Sequence, residues 1–142
     1  MGGLEGLDYW ERLSQLRLYS QERRRERYQI IYIWKVSQLL VRGYSLPFVM
    51  SPRRGWLVDI PPIERGSPAA VARAKEASIR VKGGRLFNSI PQELRNMNGV
   101  KVEVFKAGLD AWLATIPDQP TIPCRQREAA TNSILDQVAL LH

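Results

Sequence analysis

Apolar residues recur at helical spacing along most of the chain, and this pattern predicts a mainly α fold. Near the start, Asp8 and Glu11 have the spacing of a capping box, in which two side chains satisfy free backbone N–H groups of the first turn. Trp10 and Leu13 follow on one helical face. We therefore expect a short first helix that ends near Leu18.

A second, longer helix is predicted over residues 21–42, because this span contains neither glycine nor proline. Its middle part, YQIIYIW, has the composition of a strand, but 22 uninterrupted residues are too many for a strand and normal for a helix. Ser20 is the expected cap and Gly43 the expected stop. The first turns are charged and the middle is apolar, so we expect the helix to be exposed at one end and buried at the other.

Shorter elements are predicted in the rest of the chain. They are an extended piece at 56–60, helices at 69–77, 85–90 and 91–96, a helix with its buried face over 102–113, and a last helix at 133–141. Residues 78–82 alternate and predict a strand with Ile79 and Val81 facing inward. Residues 117–128, with three prolines, are interpreted as an exposed arm, and Asn132 as the cap of the last helix.

The predicted fold is a small helical domain with a short β-strand pair and a proline-rich arm before the last helix. Three segments are expected: a helical pair at 1–43, a small helical domain with a loop and a short strand at 44–116, and the arm with the C-terminal helix at 117–142. The predicted core consists of Trp10, Leu13, Ile31, Trp34, Phe87, Leu94, Phe105, Leu109 and Trp112.

Positive charge is concentrated in the middle of the chain. Residues 12–85 hold 16 Lys and Arg against 5 Asp and Glu, within a total net charge of +7. Arginine supplies 16 of the 21 basic residues, and its planar guanidinium binds phosphate through two hydrogen bonds and stacks on bases. This distribution fits a polyanionic partner, and a solvated basic surface is the alternative interpretation.

The residue inventory offers little for catalysis. His142 is the single histidine and Cys124 the single cysteine, too few for a structural zinc site or a catalytic triad. The sequence contains no phosphate-binding loop motif and no pair of adjacent aspartates. We therefore predict no catalytic residue, no metal and no cofactor. A lone cysteine favours a reducing compartment, so the expected location is intracellular, nuclear or cytoplasmic, without a membrane partner.

The best functional candidates are basic residues with access to phosphates. Four of them begin the long helix: Arg23, Arg24, Arg25 and Arg27. They spread around more than one helical face, so several would meet a phosphate backbone at once and give salt-dependent affinity. The alternative is a solvated helix end with ion pairs to Glu22 and Glu26.

A second candidate is the loop that follows the long helix. It contains Arg53, Arg54 and Trp56, next to a glycine and a proline. The arginines offer further phosphate contacts, and the indole could stack on a base.

Several motifs follow one another along the chain: GLDYWERL at 6–13, LYSQERRRERY at 18–28, IYIWK at 31–35, SPRRG at 51–55, GRLFNSIP at 84–91 and TNSILD at 131–136. In this order, from about residue 4 to residue 137, they resemble the region after the polymerase palm in non-LTR retrotransposon reverse transcriptases. Residues 36–47 depart from the family's pattern, which usually has a glycine- and proline-containing turn and a longer insert there.

The resemblance implies that the pair at 1–43 is thumb-like and that the rest is the C-terminal tail of the polymerase. In that family the thumb holds the template–primer duplex by its backbone, and the catalytic carboxylates lie in the palm, in a Tyr-x-Asp-Asp motif that this sequence lacks. The expected function is thus that of a non-catalytic fragment. It would bind an RNA–DNA hybrid or RNA non-specifically, with a missing palm domain as a further partner and self-association through exposed apolar surface.

The alternative is an orphan or domesticated helical protein-interaction module without a nucleic-acid role. It would associate with itself or with a protein partner through the face formed by Tyr28–Trp34.

Overall fold

The first two helices begin where side chains cap them, as the sequence predicts. A computed structural model describes residues 6–38, 40–41, 50–51, 53, 55–119 and 132–141. Its helices are α1 (Tyr9–Leu16), α2 (Gln21–Ser37), α3 (Ala69–Ala77), α4 (Gly84–Ser89), α5 (Gln92–Arg95), α6 (Val102–Leu113) and α7 (Ile134–Leu141). The mainly α fold class is confirmed.

The predicted caps of the first two helices are confirmed. The Asp8 carboxylate accepts a hydrogen bond from the Glu11 N–H at 2.8 Å, and the Glu11 carboxylate accepts one from the Asp8 N–H at 3.4 Å. The Ser20 hydroxyl accepts from the Arg23 N–H at 3.1 Å and so satisfies one free donor at the start of α2. Left-handed backbone at Arg17 (φ 53°) ends α1 and redirects the chain into α2.

The long helix ends earlier than the sequence predicts. It stops at Ser37, five residues before the predicted end, and the predicted stop at Gly43 lies outside the described residues. The Gln38 side chain explains the end: its amide donates to Asn98 Oδ1 and accepts from the Gly99 N–H, both at 2.9 Å. The end of α2 is thereby attached to the turn before α6.

The hydrophobic core lies where α2 packs against α4, α6 and the π-helical turn Ile79–Gly83, which precedes α4. Trp34 is fully buried and its ring stacks on Phe105 with centroids 4.7 Å apart. The Trp34 indole N–H donates to the Met97 carbonyl at 2.7 Å, so this large side chain leaves no unpaired donor in the core. Ile134 of α7 and Val58 join the same cluster, so all three predicted segments share one core.

Most of the predicted core residues are buried, and two are not fully so. Those buried are Leu13, Ile31, Trp34, Phe87, Leu94, Phe105 and Leu109, whereas Trp10 and Trp112 are only partly buried. Within the part of the chain that the structure describes, no helix combines the length and the apolar character needed to cross a bilayer.

A two-stranded antiparallel sheet covers one side of α4. Strand β1 (Met50–Ser51) pairs with β2 (Leu57–Val58), with Met50 opposite Val58. The Asn88 side chain accepts from the Val58 N–H at 2.7 Å and donates to the Val58 carbonyl at 2.9 Å. One side chain of α4 therefore satisfies both backbone groups of Val58.

The predicted strand at 78–82 is wrong: the chain forms a π-helical turn over Ile79–Gly83 and continues directly into α4. Ser78 starts it, since its carbonyl accepts from the Lys82 N–H at 2.8 Å. A Cβ on Gly83 would lie 2.8 Å from Ile33 Cδ1, so the glycine lets the turn pass close to α2. Packing against α2 outweighs the strand-like alternation, and Val81 is still buried as predicted.

Candidate nucleic-acid interface

The arginine run at the start of α2 is divided between the inside and the outside of the protein. Successive residues of a helix turn by about 100°, so positions 23 and 27 share one face and positions 24 and 25 lie elsewhere. Arg23 is buried and Arg27 is partly buried, whereas Arg24 and Arg25 are exposed. The predicted phosphate contact is therefore wrong for Arg23, which is buried, and Arg27 is only partly accessible.

Arg23 is fully buried, with 0% of its side chain exposed. Its Nη2 donates to the Pro117 carbonyl at 2.8 Å, and its Nε lies 4.0 Å from Asp118 Oδ1. Its Nε and Nη1 have no hydrogen-bond partner among the described residues. Burial lowers the pKa of Arg23, while the carboxylates of Asp118, Glu26 and Glu22 oppose that change. A side chain enclosed in this way cannot contact a phosphate backbone.

Asp118 joins the start of α2 to the segment before α7. Its carboxylate accepts hydrogen bonds from the Ser20 N–H at 2.6 Å, the Ser20 hydroxyl at 2.7 Å and the Asn132 side-chain amide at 2.6 Å. Gln137 of α7 extends the network, since its amide donates to the Gln119 carbonyl and to Asn132 Oδ1, both at 2.9 Å. Segments far apart in sequence are thereby held together.

Glu26 caps α7 from a neighbouring helix. Its buried carboxylate accepts from the Ser133 hydroxyl at 2.6 Å and from the Ile134 N–H at 3.0 Å. Burial raises the pKa of Glu26, although these hydrogen bonds favour the ionised form. The Asn132 side chain does not cap α7 as predicted, because its Oδ1 accepts from the Gln137 amide and Glu26 accepts from the Ile134 N–H instead.

Arg27 forms a two-pronged ion pair with Asp110 of α6, with Nε–Oδ1 and Nη2–Oδ2 distances of 2.7 and 3.0 Å. The hydrogen bond with Asp110 raises the pKa of Arg27. The Tyr19 hydroxyl also donates to Asp110, at 2.9 Å, and burial together with this bond raises the pKa of Tyr19 to about 12. Among the described residues, neither Glu22 nor Glu26 forms the arginine ion pairs that the alternative interpretation expects. Glu22 accepts from the Asn132 N–H and Glu26 from the Ile134 N–H.

Asp110 is held ionised by its partners. Burial acts to raise its pKa, but the hydrogen bonds from Arg27 and Tyr19 and the positive charges of Arg27 and Lys106 lower the pKa overall. The inner half of the arginine run thus stabilises the packing of α2 on α6 and on the segment that leads to α7.

The outer face of α2 consists of Arg24, Arg25 and Tyr28, and it remains open to solvent. These three side chains line a shallow groove together with Gln29 and Ile79 of the π-helical turn. Tyr28 is 68% exposed. Two guanidinium groups beside an accessible aromatic ring are suited to bind phosphates and to stack on a base.

A second groove, the α2–α6 groove, runs along the neighbouring face of the helix. It is lined by Arg27, Tyr28, Ile31, Tyr32, Lys35 and Lys106. The rings of Tyr28 and Tyr32 stack with centroids 6.5 Å apart and planes inclined by 18°. Tyr28 therefore stands between the two grooves and contributes to both.

The loop candidates lie apart from this helix face. Arg53 is exposed, Trp56 is partly buried, and neither lines the two grooves of α2. Arg54 lies outside the described residues. The loop is held to α5 instead, since Arg95 Nε donates to the Gly55 carbonyl at 3.0 Å, and Trp56 has left-handed backbone (φ 63°).

Sequence reasoning missed the lysines of the α2–α6 groove, and it placed Tyr28 and Tyr32 only in a protein-interaction face. Tyr28, Tyr32 and Lys35 recur at helical spacing, which was a usable signal for one shared face. Lys106 comes from α6, and nothing in the local sequence places it beside Lys35. The role of Asp118 likewise had no local signal.

Comparison with known proteins found no counterpart: no family model matches the chain, and neither a curated protein nor a solved structure matches it.

Proposed function

We propose that this chain is the non-catalytic C-terminal part of a non-LTR retrotransposon reverse transcriptase, and that it binds nucleic acid non-specifically through the outer face of α2. The observation that carries the binding role is the exposure of Arg24 and Arg25 beside Tyr28, on a helix whose inner arginines hold it in place. The ordered resemblance of residues 4–137 supports the parentage. The site of action would be the nucleus or the cytoplasm.

The physical basis of the binding is electrostatic. Each phosphate neutralised by an arginine releases condensed counterions, which gives affinity without sequence preference. A rigid helix presents Arg24 and Arg25 at little additional entropic cost, because the Arg23 and Arg27 contacts already fix its position. Two phosphate contacts provide modest affinity, which suits a segment that assists a polymerase held on its template by other domains.

The carboxylates of α2 and α6 support a structural rather than a catalytic assignment. Glu26 and Asp110 accept hydrogen bonds from the protein itself, and so does Asp118. Across the described ranges, no group of three or more potential metal ligands comes together.

The alternative, a protein-interaction module, is favoured by one observation around α1. Leu16 and Leu18 are each about half exposed, and Leu18 lines a groove with Trp10 and Pro117. A palm domain or another protein would cover such apolar surface. The predicted Tyr28–Trp34 face is not available as a whole, because Trp34 and its isoleucine neighbours are buried and only the two tyrosines and Gln29 remain accessible.

Fluorescence anisotropy with a labelled RNA–DNA hybrid tests the proposed function. We expect the unaltered chain to bind the hybrid, and the double variant Arg24→Gln/Arg25→Gln to bind about tenfold more weakly, because two phosphates are no longer neutralised. The matched control is Arg73→Gln/Lys75→Gln, which removes the same charge from the exposed surface of α3 and should change affinity about twofold or less.

Two results would overturn the proposal. One is affinity that does not change between low and moderate salt, and the other is equal weakening by the α2 variant and the α3 control. Absence of hybrid binding together with concentration-dependent dimers in sedimentation would favour the interaction module.

A further inference from the structure

We propose that the α2–α6 groove is a subsite for an unpaired nucleotide, in which a base stacks on Tyr28 and the adjoining phosphate binds Lys35 and Lys106. This inference rests on the proposed function and specifies its ligand: a single-stranded stretch of RNA or DNA. It uses residues that the arginine run does not include.

The charges of the groove favour an anion. Of its three cationic residues, Arg27 is neutralised by its ion pair with Asp110. Lys35 and Lys106 are in no ion pair with any carboxylate that the structure describes. Both lysines are partly buried and both line this groove. A lysine in such a position packs its stem on apolar surface and keeps its ammonium group in water. The charge of Lys106 also acts on Asp110, whose pKa it lowers. Three cations and one carboxylate leave these four residues with a net charge of +2.

The aromatic rings provide the second element of recognition. Tyr28 is largely exposed, and its contact with Tyr32 orients the ring beside the lysines. Stacking of a base on an aromatic side chain contributes about 1–3 kcal/mol and tolerates any base. Ile31 supplies an apolar floor between the rings and the helix.

The combination selects an unpaired nucleotide over other anions. A base within a duplex is already stacked on its neighbours and cannot present a free face to a protein ring, whereas an unpaired base can. An acidic peptide or a free phosphate would use the lysines but gain nothing from Tyr28. The ring and the two ammonium groups together therefore indicate a base with its attached phosphate.

Anisotropy titrations with a fluorescein-labelled single-stranded RNA, the same sequence as single-stranded DNA, and the blunt RNA–DNA hybrid test this subsite. We expect Tyr28→Leu to weaken binding of both single strands at least fivefold, as the loss of one stacked base predicts. It should weaken hybrid binding less, because the paired bases of a duplex cannot stack on the ring. Tyr28→Phe keeps the ring and should retain single-strand affinity. Thermal unfolding monitored by circular dichroism checks that each variant is folded.

The lysines are tested by Lys35→Gln/Lys106→Gln, with the α3 variant Arg73→Gln/Lys75→Gln as the charge-matched control. We expect the lysine variant to reduce the slope of log affinity against log salt for single strands by about 0.7, the value for the one phosphate that the two lysines bind. The control should leave the slope nearly unchanged.

Several outcomes would overturn the subsite. Equal weakening of single-strand and hybrid binding by Tyr28→Leu would place Tyr28 only in the outer face. The groove would be a simple anion site if Tyr28→Leu had no effect on binding and if inorganic phosphate or polyglutamate at comparable charge displaced the oligonucleotide. If Arg24→Gln/Arg25→Gln leaves hybrid binding intact but the single-strand effects appear, the proposed function fails and the subsite stands.

Discussion

Replacement of Asp118 by alanine is expected to destabilise the protein more than any change on its exposed surface. The substitution removes the acceptor for the Ser20 N–H, the Ser20 hydroxyl and the Asn132 amide. It also removes the nearest carboxylate from Arg23, whose side chain is fully buried. The start of α2 and the segment before α7 then lose the group that joins them.

The magnitude follows from these contacts. Hydrogen bonds to a charged group contribute about 1.5–3 kcal/mol each, so a simple sum over three would be about 5–9 kcal/mol. The sum overestimates the loss, because the bonds share one acceptor and the Asp118 side chain is 20% exposed, which lets water replace part of it. We therefore expect a loss of about 3–5 kcal/mol, as for removal of one partner from a buried ion pair.

Urea denaturation followed by far-UV circular dichroism measures this loss. The matched control is Glu64→Ala, which removes a carboxylate from an exposed loop position and should change the free energy of unfolding by about 0.5 kcal/mol or less. An Asp118→Ala variant as stable as the control, with an unchanged denaturant dependence, would refute the role assigned to this network.

Two further predictions concern packing and ionisation. Gly83→Ala should destabilise the protein by about 1–2 kcal/mol in thermal or urea unfolding, since the new methyl group would lie 2.8 Å from buried Ile33 and the clash exceeds alanine's helical advantage of up to about 1 kcal/mol. One tyrosine should titrate near pH 12 in absorbance at 295 nm, and Asp110→Asn should move it toward 10.0. Because the folded pKa of Tyr19 is raised, the stability it contributes is fully present below pH 10 and is lost as the pH rises through about 12.

Local signals made most of the secondary structure predictable from sequence. Asp8 and Ser20 cap their helices through backbone groups three residues away, so the residues that decide each helix start are adjacent in sequence. The exception at 78–82 is instructive, because its alternating pattern is real but its conformation is decided by the close approach of Ile33 to Gly83. That contact depends on how α2 packs, which a short window cannot contain.

The candidate site was only half predictable from the sequence, because contacts between distant residues decide which arginines are buried. The helical period alone separates Arg24 and Arg25 from Arg23 and Arg27, but it does not say which face points inward. That choice is made by Asp110 and by the segment that contains Asp118, about 80 to 100 residues further along the chain. Contacts with these distant residues hold Arg23 and Arg27 in the structure, whereas Arg24 and Arg25 remain accessible.

The central claim is that Arg24 and Arg25, and not the inner arginines, meet the nucleic acid, and the salt dependence of hybrid binding tests it most directly. We predict that Arg24→Gln/Arg25→Gln lowers the slope of log affinity against log salt by about 1.8, or about 0.9 for each phosphate that an arginine no longer neutralises. When the salt concentration rises fourfold, both affinities should fall, and the fold-decrease for the unaltered chain should be about 12 times the fold-decrease for the variant. An identical slope for the two proteins would contradict the account.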